Sequence, residues 1–216
     1  GRQRGGAGSV YRKLNGDPVG DLTLHNGGNA GALTPFSVPT NTRLVLSGGA
    51  TFHPTGPLEL VSLRLNEGAT LTHLNSQAGL TVTVAQDLTV AAGAAINADA
   101  LGYPVGNDPG PGAGAESGCC GGGGAHGGNG GVSYNASGGV AYDSLLEPRA
   151  FGSSGAGPEG SGMAGRAPGG GAIHLVVGGE LLIDGRVTAN GSSAWSNDQG
   201  AGAGGSVWLQ AGRLAG

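Results

Sequence analysis

Residues 118–131 read GCCGGGGAHGGNGG, and the stretch around them, 102–171, holds 25 of the chain's 50 glycines. Glycine loses more backbone freedom on ordering than any other residue, and a helix interior tolerates it poorly. Such a stretch either stays unfolded or lets backbones approach where no Cβ keeps them apart. Elsewhere, too, Gly and Thr interrupt every candidate helix. Gly and Pro together make up 61 of 216 residues, a share at which low complexity is the default expectation. Leu, Ile, Val and Phe supply 43 residues, the lower edge of what a packed core needs. The chain is thus an all-β protein with Gly-rich excursions or a disordered one, and periodicity decides between them.

Residues 21–100 carry a repeated pattern. Leu44 and Leu46 precede Gly49, and Phe52 follows; Leu63 and Leu65 precede Gly68, and Leu71 follows; Leu88 and Val90 precede Gly93, and Ile96 follows. This is period-two alternation across a tight turn, with Gly where the backbone bends. A longer match aligns GLTVTVAQDLTVAAGAAI (79–96) with GAIHLVVGGELLIDGRV (171–187), setting Leu80, Val82 and Val84 on Ile173, Leu175 and Val177. A third copy begins at GGSVWLQAGRL (204–214), and GSVYRKLNG (8–16) parallels GSVWLQAG (205–212). Spacings of this size belong to solenoids. The sequence therefore predicts one all-β domain over 1–216, a parallel β-solenoid (β-helix) with a narrow Leu/Val/Ile core. Residues 102–171 are a large Gly-rich insertion of extended, polyglycine-type strands. Within the insertion, 118–131 are expected to be ordered, plugged by Tyr134, Tyr142, Leu145, Leu146 and Phe151.

Several classes are excluded. Charged residues are only 11% of the chain, too few for a polyelectrolyte tail. No apolar run approaches the ~20 residues of a membrane span, and the glycines lack collagen's strict period. Net charge is −4, with Arg2, Arg4, Arg12 and Lys13 the one basic cluster, so nucleic acid is not an expected partner. Cys119 and Cys120 are adjacent and cannot staple distant elements; they are two small loop residues or a vicinal disulfide. The chain opens at Gly1 without Met, and both ends read as mid-coil sequence. A slice of a longer repetitive protein, or a unit joining end to end with its own copies, is expected.

GSVYRKLNGDPVGDLTLHNGG (8–28), DLTVAAGAAINADALGYP (87–104), GGGGAHGGNGG (121–131), GGVAYDSLLEP (138–148), GGGAIHLVVGGELLIDGRVTANG (169–191) and GAGGSVWLQAGRL (202–214) follow one another in this order. The series resembles the Gly-rich β-helical repeat regions of very large secreted or cell-surface proteins of environmental bacteria. Where members of that group often carry Gly after the Ala-Tyr pair, this chain has Asp143. The resemblance implies an extracellular or cell-surface, non-enzymatic setting, structural or adhesive, with other copies or neighbouring repeats as partners.

Chemistry is sparse in the sequence. His25, His53, His73, His126 and His174 form no metal-binding spacing, no CxxC is present, and no Ser lies in a nucleophile elbow. No catalytic residue, metal site or cofactor is expected. His174, between Ile173 and Leu175, reads as a solvent-facing strand residue. Asp99, Asn107 and Asp108 are the oxygen donors that calcium would draw on, though Asn and Asp also favour turns. The enzymatic alternative, a polysaccharide lyase or hydrolase, requires Asp99, Asp108, Glu116, Asp143 and Glu147 to cluster. The binding alternative is a glycan-binding adhesin module: Tyr103, His126, Tyr134, Tyr142 and Trp195 are its candidates, since rings stack on sugar faces. Asn135-Ala-Ser137 and Asn190-Gly-Ser192 match the glycosylation pattern.

Overall fold

The computed structural model describes all residues except 1–4, 75–77, 105, 114–118, 158–165 and 197. Arg2, Arg4 and Glu116, and the first residue of the 118–131 segment, lie outside the described residues. The strands are β1 (Gly8–Arg12), β2 (Gly20–His25), β3 (Leu33–Phe36), β4 (Thr42–Ser47), β5 (Thr51–Pro54), β6 (Leu58–Leu60), β7 (Ser62–Leu65), β8 (Thr70–Thr72), β9 (Leu80–Val84), β10 (Leu88–Val90), β11 (Ala95–Asn97), β12 (Ala172–Ile183), β13 (Arg186–Thr188) and β14 (Ser206–Ala215). No described residue is helical.

The chain is all-β, but the parallel β-solenoid expected from the repeats is corrected by the sheet topology. The larger sheet has nine strands in the order β1-β2-β4-β7-β10-β12-β9-β6, with β14 added on β12; it is mixed and curls into a half-barrel. Its first pair, β1 with β2, is antiparallel. Only residues 13–19 join them, and a parallel return needs a crossover of a dozen residues or more. The match between 8–16 and 205–212 therefore misleads: β1 forms a hairpin while β14 runs parallel to β12. β12 pairs with β9 along 173–177 and with β10 along 181–183, joining two rows of strands. It passes the Ala85–Asp87 corner at Gly178 and Gly179, where a Cβ would meet Ala85 O at 2.4 Å and Asp87 Oδ1 at 2.3 Å. The smaller sheet runs β13-β11-β8-β5-β3.

The core follows the strand registers. Leu22, Leu44, Leu63, Leu88 and Leu181 form one row of paired neighbours across the larger sheet, each buried. Phe52, Leu71 and Ile96 form another across the smaller one. Between the rows the chain bends at Gly49, Gly68 and Gly93, with φ of 79°, 76° and 76°, a region in which L side chains are strained.

In the insertion, between Asn97 and Ala172, no described residue joins a strand ladder, apart from one isolated Ser133–Ala136 bridge. Extended segments there bond in more than two directions. Residues 121–125 donate to or accept from five other stretches: 110–113, 131, 139, 153–156 and 198–201. Gly139 N–H donates to Gly123 O at 3.0 Å, Gly123 N–H to Gly131 O at 2.9 Å, and Gly130 N–H to Gly139 O at 3.0 Å. A sheet strand has neighbours on two sides because its side chains occupy the others. Here glycine frees those sides and the backbone groups fill them. The network reaches the sheets where Gly171 N–H donates to Ala98 O, Gly205 N–H to Ala189 O, and Ser206 N–H to Gly171 O.

Candidate functional site

The densest grouping of titratable and ring side chains lies where the 140–151 loop meets the Gly-rich network and β14. It is built around Asp143, whose backbone φ is +73°, a glycine-like conformation. That turn aims the Asp143 Oδ2 at the backbone N–H groups of Arg149 and Ala150, both at 2.9 Å, and at His126 Nε2 at 3.0 Å. Burial pushes the Asp143 carboxyl up, but donation from Ala150, Ser144, His126 and Arg149 outweighs it and holds the group down at about 2. The buried Ser206 at the start of β14 completes the clamp: its hydroxyl lies 2.6 Å from Ala150 O, 3.2 Å from Asp143 Oδ2 and 3.3 Å from His126 Nε2.

Ser, His and Asp together suggest nucleophilic catalysis, yet the geometry differs in a decisive way. Activation of a serine places the acid on one ring nitrogen and the hydroxyl on the other. Here Asp143 and Ser206 both meet Nε2, and the serine's shortest bond is to a carbonyl. What this arrangement can do is fasten a loop to a strand.

Beside the clamp runs a chain of ring contacts. His73 stacks on Phe151 at 5.6 Å, Phe151 meets Tyr103 at 5.2 Å, Tyr103 meets Tyr142 at 6.4 Å, and Tyr142 meets His126 at 5.4 Å. The Tyr142 hydroxyl donates to Phe151 O at 2.6 Å and lies 2.7 Å from Ser153 Oγ. Burial pushes its ionisation up to about 12, against the opposing Ser153 contact. His73 is shifted down by burial, and its Nε2 has no hydrogen-bond partner among the described residues.

Of the candidates for sugar binding, Tyr103, His126 and Tyr142 are therefore brought together, with their rings engaged by one another. Tyr134 (73% exposed) and Trp195 (66% exposed) stand apart at two loop tips and make no ring contact with the three. The loops that carry them are tied through Cys120 and Gly121: the Cys120 carbonyl accepts from Ser133 Oγ at 2.9 Å, and Gly121 N–H donates to Asp198 O at 2.9 Å. Cys119 and Cys120 form a vicinal disulfide. With Asp198 they are the one group of three His, Cys, Asp or Glu side chains, among the described residues, whose ligand atoms lie within 4.8 Å. Joined sulfurs are not thiolate ligands. Of the insertion's expected plugs, Tyr142 and Phe151 point inward while Tyr134, Leu145 and Leu146 are exposed.

The acidic residues are spent separately. Asp99 accepts from Asn190 N–H at 2.6 Å, and Asp108 accepts from the Ser154 N–H and hydroxyl, both at 2.6 Å. Asp99, Asp108 and Asp143 thus serve three different networks.

The sequence reading missed a further grouping on β12 and β14. His174, read as solvent-facing, is half-buried and stacks on Trp208 at 4.1 Å and 11°, with Nε2 3.0 Å from Gln210 Oε1. The Arg149 guanidinium carbon lies 4.1 Å from the Trp208 ring centroid. The alternation in both strands was the available signal, because it places His174, Trp208 and Gln210 on one face. Comparison with family models, curated proteins and solved structures found no match to the chain.

Proposed function

We propose that the chain is an extracellular structural module, a stalk segment or fibre-forming repeat unit that continues by adding a further strand to β14. One observation carries this reading. Val207, Leu209 and Leu214 lie in register with Ile173, Leu175 and Leu181, which are buried in the core, yet Val207 is 37% and Leu214 62% exposed. The inward rows run out at β14 with apolar side chains uncovered. At the opposite end the antiparallel β1 lies along β2, whose Leu22 and Leu24 are buried, and reverses the strand direction there, so a parallel copy has no matching edge to join. An exposed strand edge with apolar side chains is a template for another strand. The disulfide supports an oxidising compartment.

Negative-stain microscopy and light scattering at rising concentration test this. End-to-end particles are expected, lost in a Val207→Lys/Leu214→Lys variant whose melting temperature is little changed. Uniform monomers at every concentration, together with a natural protein that carries no strand after β14, would sink the reading.

A further inference from the structure

Arg149 is held at two points. Its backbone N–H donates to Asp143 Oδ2 at 2.9 Å, and its guanidinium sits over Trp208 at 4.1 Å. Stacking uses the face of a guanidinium and leaves the in-plane N–H groups free. Among the described residues, no carboxylate lies within ion-pair distance of it: the Asp and Glu side chains that form ion pairs do so with Arg12, Arg43, His126 and Arg213. An exposed, pre-oriented cation with no counter-ion adjoins a cavity of about 130 Å³ lined by Leu80, Thr81, Pro148, Arg149, Ile173 and His174. His174 brings a second unmet polar atom: its Nδ1 is buried with no hydrogen-bond partner among the described residues.

We propose that this cavity is a binding site for a carboxylate, with Arg149 as the residue that recognises it and Thr81 and His174 as the polar wall. Trp208 acts as a positioning residue by fixing the guanidinium plane. The room available suits a small organic acid or a single acidic sugar residue, and a planar, pre-oriented guanidinium matches the two oxygens of a carboxylate. A neutral sugar offers nothing to the cation.

The test uses the whole chain carrying Trp195→Phe, so that Trp208 is the sole tryptophan, at low ionic strength. Sodium galacturonate, sodium acetate and galactose are titrated by tryptophan fluorescence, with calorimetry as the second readout. Saturable binding of galacturonate and none of galactose is expected. Arg149→Gln should weaken it at least about tenfold, the scale of a lost charged hydrogen bond, with an unchanged melting temperature. Arg149→Lys should restore part of it. Tighter binding of galacturonate than acetate assigns the site to acidic sugars, and equal binding assigns it to simple carboxylates; both uphold it. No saturable response to either acid, or binding that persists in Arg149→Gln, overturns it.

Discussion

Asp143 shows how one residue does two things at once. Its left-handed backbone turns the loop as glycine would, and its carboxylate then gathers two backbone amides, an imidazole and the Ser206 hydroxyl region. The group's folded value lies below its unfolded one of about 4, so its stabilisation is complete above that pH and disappears as pH falls through about 2. Asp143→Asn keeps a residue that accepts the left-handed turn but removes the charge. It should cost about 1–3 kcal/mol at pH 7, and the gap between the two proteins should close between about pH 4 and pH 2. Thermal melts across that range give the answer; a gap of the same size at pH 2 contradicts the clamp. Destabilisation from protonating the buried His73, whose value is lowered, starts higher, as pH falls below about 6.5. Being common to both proteins, it cancels in the comparison.

Among the elements, the Gly-rich network makes a sharper claim than the sheets. A Cβ on Gly139 would sit 1.9 Å from Gly110 O, whereas one on Gly128 meets nothing within 4 Å. Gly139→Ala should therefore lose several kcal/mol, beyond the ~1–3 kcal/mol of ordinary overpacking, while Gly128→Ala should stay within about 0.5 kcal/mol. Chemical denaturation of the pair decides: equal effects mean that the backbones do not approach as described. The strand register was legible beforehand. The sequence match of Leu80, Val82 and Val84 with Ile173, Leu175 and Val177 is the physical pairing of β9 and β12. The repeat that sets Leu63 and Leu88 alike is the pairing of β7 with β10, and Leu181 continues that row on β12. Alternation reports such pairing because the buried face selects it. The Gly-rich partners were not legible, since a glycine has no side chain to mark which carbonyl it faces. Asp143 was visible only as an odd residue at a glycine position, and Arg149 carried no local pattern at all. Trp208 and His174 could be placed on one face, but nothing in the sequence brought the 148–149 loop across it.

At the scale of the molecule, sheets and network are tied through residues 98–102, 167–171, 189–192 and 198–206 rather than joined by one tether. A stalk or fibre unit needs this, because a pendant loop would bear no load while a cross-bonded layer would. The two ends differ: β1 pairs antiparallel with β2, whereas β14 pairs parallel with β12 and leaves Val207 and Leu214 exposed. Ordering glycine costs ~1–2 kcal/mol of backbone entropy per residue, so the Gly-rich network holds its shape only if its hydrogen bonds form together. Native-state hydrogen exchange measures that directly. The amides of Gly122, Gly123, Gly124, Ala125, Gly139, Ser153 and Ala156 are expected to be protected, and to open with β12 and β14 as one unit. Exchange of those amides at random-coil rates, while β9 to β12 remain protected, would contradict it.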